Sequence, residues 1–516
     1  MTMMVPGMYG YPPPPPPPIP PLHGPALPQR GEPGWTVWPH RIWPLDPLAS
    51  ASRRLVLLAV VAGVVGTALW RPSVLSVGFF VIGVIVFAVV YGTAERRPTR
   101  AERLGIALTL ALLAVPGVLA AEWVGGLCII AAWIVGWGTL VGGRTWTAVF
   151  TGPFVPWVLP ARVLGWVRRS ERVVGLRGVR TSSLVRGLVV VGITLVLGLV
   201  FGALFAAADP AFARLVGNLV PTFSVGEFVS RAVVFGIVLG FVLFGAYVVR
   251  FAPKLDAMAP KPMQPVQRWE WALPLGALDV LFIAFVMVQA TVLFGGHTHV
   301  LETEGLTYAE YARQGFWQLL WVSALTMLVL TVVIRVAGRV TVADRRILRV
   351  LVGILCATSV VVVISAIHRM WLYQQAYGFS TERVMVVTIE LWLGAVFVLI
   401  AVAGIRMTAR WLPRAVLVAG AVALLGLAAI NPERLIAERN IDRYEQTGLL
   451  DTDYLLSLSQ DVEPALQRLP EEIRQCARYR DREPDAWYEF NVSRSRAAGG
   501  GTGSWEACDA YWTRSD

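Results

Sequence analysis

The sequence predicts an all-α integral membrane protein of about eleven transmembrane helices followed by a small, mostly helical C-terminal domain. Three observations predict it. First, the 516-residue chain has a mean hydropathy of +0.60 and only 15% charged residues. Its apolar residues gather in runs of about 17–25, long enough as helix to cross roughly 30 Å of hydrocarbon. Second, arginines concentrate in every second loop between those runs. Third, the composition turns acidic and polar from Asn431 onward.

In chain order, residues 1–50 form a low-complexity leader. Pro12–Pro18, Pro20 and Pro21 favour polyproline II and supply no core. Trp35, Trp38 and Trp43, with Arg41, suit the headgroup layer ahead of the first span. No signal-peptide pattern precedes them.

Residues 51–430 form the helical bundle. The spans are read at 55–70, 74–92, 104–121, 123–141, 184–206, 232–251, 273–294, 316–337, 350–368, 384–405 and 414–430. A backbone in hydrocarbon must satisfy its own polar groups, and runs this long do so as helices. Of the 45 basic residues, 28 fall in the N-terminal tail, the alternate loops and the adjoining span ends, against six in the opposite loops. Clusters such as Arg96, Arg97, Arg100 and Arg103, or Arg345, Arg346 and Arg349, mark the cytoplasmic side. The expected topology is a cytoplasmic N-terminus and an extracytoplasmic C-terminus in a bacterial inner membrane. The excess of Arg over Lys, with much Ala, Gly and Val, fits a GC-rich genome.

Two loops carry amphipathic segments. Residues 145–167 are apolar, broken by Pro153, Pro156 and Pro160, and then basic, which suits the cytoplasmic interface with anionic lipid. Residues 211–220 place Phe212, Leu215, Val216, Leu219 and Val220 on one face.

Residues 431–516 form the extracytoplasmic C-terminal domain, with 17 acids against 11 Arg. Cys476 and Cys508 both fall there, and an oxidising compartment permits a disulfide between them. Closing a loop of about 30 residues stabilises by roughly 3 kcal/mol. Cys128 and Cys356 lie in spans and read as buried thiols.

Candidate functional residues fall into two sets. Asp279 and Gln289 in one span and Glu390 in another are intramembrane polar groups, expensive to bury and expected to face the bundle interior. The two acids enter from opposite sides, so a direct ion pair is not expected. Tyr308, Glu310, Tyr311 and Arg313, with Arg369, Tyr373 and Tyr377, share the outer face by topology. Their spacing places each group on one helix side, and together they read as a polar, aromatic site for an extracytoplasmic ligand or an envelope protein. His297-Thr298-His299 beside Glu302 and Glu304 lacks a specified third ligand, so no metal is expected. No cofactor motif, nucleophile–base pair or nucleic-acid signature is present, and no enzyme activity is expected. Nothing in the sequence fixes the oligomeric state.

The run from Tyr308 to Phe316, the Arg369…Tyr373…Ala376-Tyr377-Gly378 stretch, and the tail Asn431-Pro432…Asn440…Arg443-Tyr444…Asp453-Tyr454-Leu455-Leu456-Ser457-Leu458-Ser459 carry a resemblance. The set resembles the bacterial multi-span family catalogued as domain of unknown function 4173, common in actinobacteria, over about residues 50–495. The resemblance implies a membrane protein without an assigned activity and transfers no catalytic residue. The reading is therefore an envelope-associated sensing, scaffolding or regulatory protein. Its rivals are an ion-coupled transporter, which needs a wet path joining Asp279 and Glu390, and a membrane enzyme using Glu302, Glu304 or Glu310.

Overall fold

The computed structural model describes residues 43, 49–71, 74–173, 205, 209, 225–260, 266–294, 308–339, 341–477, 485 and 487–498. Of residues 170–173, 225, 227, 228, 290–294, 308–316, 472, 477, 487 and 498 it describes the backbone alone. The span expected at 184–206, the segment 211–220 and His297–His299 lie outside the described residues. The chain divides into Met1–Leu45 and Asp46–Asp516, and every element below belongs to the second unit.

Among the described residues the longer elements are all helices. They are α1 Arg53–Leu69, α2 Gly78–Gly92, α3 Arg100–Val118, α4 Glu122–Val141, α5 Pro160–Val173 and α6 Val225–Arg250. The series continues with α7 Arg268–Phe294, α8 Tyr308–Val336, α9 Val342–Tyr377, α10 Thr381–Arg406, α11 Leu412–Ile430 and α12 Pro432–Thr447. Eight of these are long and apolar enough to cross a membrane: α3, α4 and α6 to α11. The first two expected spans form the shorter helices α1, of 17 residues, and α2, of 15. Residues 145–167 fold as short helices from Trp146 to Val158 joined to α5 at a 55° bend.

The helices present large apolar side chains outward in mid-span. Val280 is 68% exposed, Leu281 64% and Leu328 59%. Contiguous apolar exposure of this kind needs an apolar solvent.

Two packed cores organise the bundle. Leu112, Val115, Val124, Cys128 and Ala132 join α3, α4 and Ala421 of α11. Leu275, Leu330, Leu355, Val363 and Phe397 join α7, α8, α9 and α10. The helix α11 packs on both α10 and α4, linking the two groups. At the basic end Arg414 of α11 donates to the carbonyls of Gly142 and Gly143, just past the C-terminus of α4, where Gly142 takes φ 78°. That contact supplies positive charge and donors to orphan C-terminal carbonyls.

The helix α9 is the spine of the second group. Thr341 and Asp344 form a capping box at its start. Its 36 residues span about 54 Å at 1.5 Å per residue, well beyond a hydrocarbon core of roughly 30 Å. The apolar run ends near Ile367, so residues 368–377 extend past it.

After α11, Asn431 turns the chain with φ 53° and caps α12 by accepting from Arg434 N. Beyond α12, short helices pack around Ile436, Ile441, Leu455, Val462 and Leu466.

Candidate functional site

The C-terminal residues cap the end of the bundle opposite the arginine-rich loops. The α3–α4 turn leaves carbonyls and N–H groups without helical partners. Asn491 Nδ2 donates to the carbonyls of Pro116 at 2.9 Å and Leu119 at 2.7 Å, and Ser493 Oγ donates to Val118 at 3.0 Å. Asp461 Oδ2 accepts from Ala121 N at 2.8 Å, and Glu433 accepts from Trp123 Nε1 at 3.0 Å. Arg494 reaches the carbonyl of Leu75, between α1 and α2, at 3.0 Å. Asn491 is fully buried, so these contacts seat the domain rather than decorate its rim. Cys476 is buried and disulfide-bonded, whereas Cys128 and Cys356 are free thiols; Cys508 lies outside the described residues.

Between this cap and α9 lies a cleft of about 820 Å³. From α9 and the following turn it is lined by Trp371, Gln374, Gln375, Ala376 and Phe379. From α12 it is lined by Leu435, Arg439, Asp442, Arg443, Glu445, Gln446 and Thr447. The turn that shapes one wall is fixed by Gly378, at φ 82°, and by Asn440, whose amide bonds both backbone groups of Phe379. The charges are sorted. Arg468 holds Asp442 and Glu445 at 2.8 Å each. Arg439 meets Asp442 only at 3.8 Å, and no described carboxylate pairs with Arg443.

The expected outer-face residues are placed as follows. Arg369 Nη2 donates to Gln289 Oε1 on α7 at 3.0 Å. The rings of Tyr373 and Tyr377 lie 5.0 Å apart, with the Arg383 guanidinium 4.3 Å from the Tyr373 centroid. These three residues sit together along one stripe of α9, and the cleft lining comes from roughly the opposite stripe. The side chains of Tyr308, Glu310, Tyr311 and Arg313 lie outside the described residues.

The intramembrane groups lie along α9. It runs parallel to α7, joined at three levels: Arg268 to Asp344 at 2.5 Å, Asp279 beside Cys356, and Gln289 accepting from Ser365 at 3.0 Å. Glu390 lies on α10, one turn from Gly394, which packs on Val363 of α9. That places Glu390 and Asp279 about ten residues apart along α9, roughly 15 Å. Asp279 is 3% exposed and Glu390 0%, and neither carboxyl has a hydrogen-bond partner among the described residues.

At the basic end Asp256 accepts from the N–H groups of Arg144 and Thr145 and from the Thr145 hydroxyl, at 2.8–2.9 Å. Partial burial opposes its ionisation. Those donors and the Arg414 charge outweigh it and hold the carboxyl below its ordinary range.

Two features escaped the sequence reading: the Trp371/Gln374/Gln375 stripe and the paired roles of Arg439 and Arg443. The first was legible as an i, i+3, i+4 pattern. The second was not, because it depends on Arg468 neutralising the neighbouring acids.

Fold and site together define a multi-span helical membrane protein with a polar cap seated on one end. The chain belongs to the family described as domain of unknown function (DUF4153), whose model matches residues 104–469. This corrects the family number reached by resemblance, 4173, and agrees in kind, a multi-span family without an assigned activity. No curated protein and no solved structure matches the chain.

Proposed function

We propose that this is an inner-membrane protein of the bacterial envelope that senses, scaffolds or regulates through an outward-facing site, without catalysing a reaction. In this reading eleven spans leave the N-terminus in the cytoplasm and the C-terminal domain outside. The arginine bias of alternate loops supports that orientation. The disulfide at Cys476 supports an oxidising compartment for the cap. The observation that carries the reading is the cleft of about 820 Å³ between α9 and α12. Its volume falls in the range of small-molecule sites, and its lining mixes aromatic, amide and charged groups. Asp279 and Glu390 sit in packed apolar surroundings, which supports a structural role for them over ion transport.

Complementation tests this. Ala376 is exposed in the cleft, and Ala376→Trp fills the space without removing a charge. In a deletion strain under osmotic or detergent stress, the wild-type gene should restore growth and Ala376→Trp should not, at equal membrane abundance. Full restoration by Ala376→Trp contradicts a working cleft.

A further inference from the structure

We infer that the α9–α12 cleft binds the phosphate-bearing headgroup of an anionic phospholipid, with its acyl chains remaining in the bilayer. The inference rests on the cleft being the protein's working site, and it names the ligand's class.

Three observations converge on it. The first is depth. Trp371 lies one turn beyond Ile367, where the apolar run of α9 ends. Leu435 lies in the first turn of α12, which starts two residues after α11 ends at Ile430. Both residues line the cleft, so its floor stands where the apolar runs stop, at the headgroup layer.

The second is charge. Arg439 and Arg443 are four residues apart on α12, one above the other on the same face, and both line the cleft. The acids beside them, Asp442 and Glu445, are held by Arg468 at 2.8 Å. Arg443 has no carboxylate among the described residues, and Arg439 has one only at 3.8 Å. Guanidinium groups spaced this way present forked donors to phosphate oxygens. A cleft meant for a cation would leave its acids free instead.

The third is polarity along the depth. Trp371, Phe379 and Leu435 offer apolar contact, while Gln374, Gln375, Gln446 and Thr447 offer amide and hydroxyl partners. An anionic glycerol headgroup with attached chains uses both. A free phosphate uses only the arginines, and a zwitterionic headgroup brings a cation toward them.

The test uses full-length protein in detergent, with dioleoylphosphatidylglycerol, dioleoylphosphatidylcholine or inorganic phosphate added and bound lipid counted by native mass spectrometry. The wild type should retain phosphatidylglycerol over phosphatidylcholine, and millimolar phosphate should not displace it. Arg439→Gln/Arg443→Gln should weaken retention by about tenfold or more, as the loss of two charge-assisted contacts implies. Ala376→Trp should weaken it comparably with all charges in place. Arg434→Gln, on the same helix but engaged with Glu438 at 2.8 Å, should leave it unchanged. Equal retention of both lipids, or undiminished retention by both cleft variants, overturns the inference. Displacement by inorganic phosphate overturns it in favour of a soluble phosphate ligand. If phosphatidylglycerol binding fails while Ala376→Trp still fails to complement, the ligand class falls and the working cleft stands.

Discussion

The side-chain amide of Asn440 brackets the backbone of Phe379, accepting its N–H at 2.8 Å and donating to its carbonyl at 3.0 Å. One side chain on α12 thereby fixes the turn between α9 and α10. Next to it, Tyr454 Oη accepts from Thr381 N at 2.8 Å. The cap is therefore tied to the bundle through backbone groups, which cannot rotate away.

Removing this bracket should loosen the cleft wall. Asn440→Ala leaves two partly buried backbone groups unpaired, a loss of about 1–3 kcal/mol. Gly378→Ala should be comparably harmful for a different reason. Gly378 has φ 82°, and an added Cβ would stand 2.9 Å from Asn440 Oδ1; strain of this kind is of order 1–3 kcal/mol. Thermal unfolding in detergent should show both variants melting earlier, and an unchanged midpoint for either contradicts the docking described.

Asn491 should matter as much at the other contact. Asn491→Ala strips two carbonyls at the end of α3 of their donor, at 2.9 and 2.7 Å. The expected loss is about 1–3 kcal/mol, seen as faster proteolytic cleavage after residue 477, read on reducing gels because the Cys476 disulfide otherwise keeps the fragment attached. Asn491→Asp should fare no better, since a carboxylate facing two carbonyls repels them. Wild-type protease resistance in both variants removes the case for a seated cap.

The unpartnered acids yield an opposite sign. Glu390 is fully buried with no partner for either oxygen among the described residues, and Asp279 is 3% exposed. Replacing an unpaired buried polar group by an apolar one of similar shape is neutral or stabilising, by up to about 1–4 kcal/mol. Glu390→Leu and Asp279→Leu should therefore melt at or above the wild-type temperature and complement a deletion strain. Loss of function with retained stability, in either variant, favours an ion-coupled role.

Acid should undock the Asp256 contact. Its carboxyl is held below the ordinary value of 3.8 by donors from Arg144 and Thr145. Folding thus gains from its ionisation above about pH 4, and the gain disappears as pH falls through the lower folded-state value. Asp256→Asn should destabilise the 142–158 segment near pH 7, and the difference from wild type should shrink below pH 4. Trp146 emission against pH, taken as the difference from a Trp146→Phe background because the chain has 20 Trp, reads this; a pH-independent difference contradicts it.

Much of the fold was legible because long apolar runs and clustered arginines are strong signals. Ten of the expected spans coincide with described helices, including the two short ones. The site was harder to read for a geometric reason. Arg369, Tyr373 and Tyr377 do form a stripe, as their i, i+4 spacing requires, and the rings of Tyr373 and Tyr377 meet at a tilt of 48°. Spacing does not say which stripe of α9 the cap approaches. That depends on the turn at Asn431 and on the bracket between Asn440 and Phe379, neither of which has a periodic signature. Likewise Asp279 and Glu390 were recognisable as intramembrane acids, but their separation along α9 needed the register of three helices.

The central claim is that the cleft opens to the outside of the cell. Gln375 is exposed in it, Arg346 is exposed at the opposite, basic end, and Cys128 and Cys356 are buried. Gln375→Cys and Arg346→Cys should therefore be distinguishable with a membrane-impermeant maleimide on intact cells whose outer layers are permeable to it. The account predicts rapid labelling of Gln375→Cys, and labelling of Arg346→Cys only after the inner membrane is opened. The reverse order contradicts the orientation, and protection of Gln375→Cys under both conditions contradicts an open cleft.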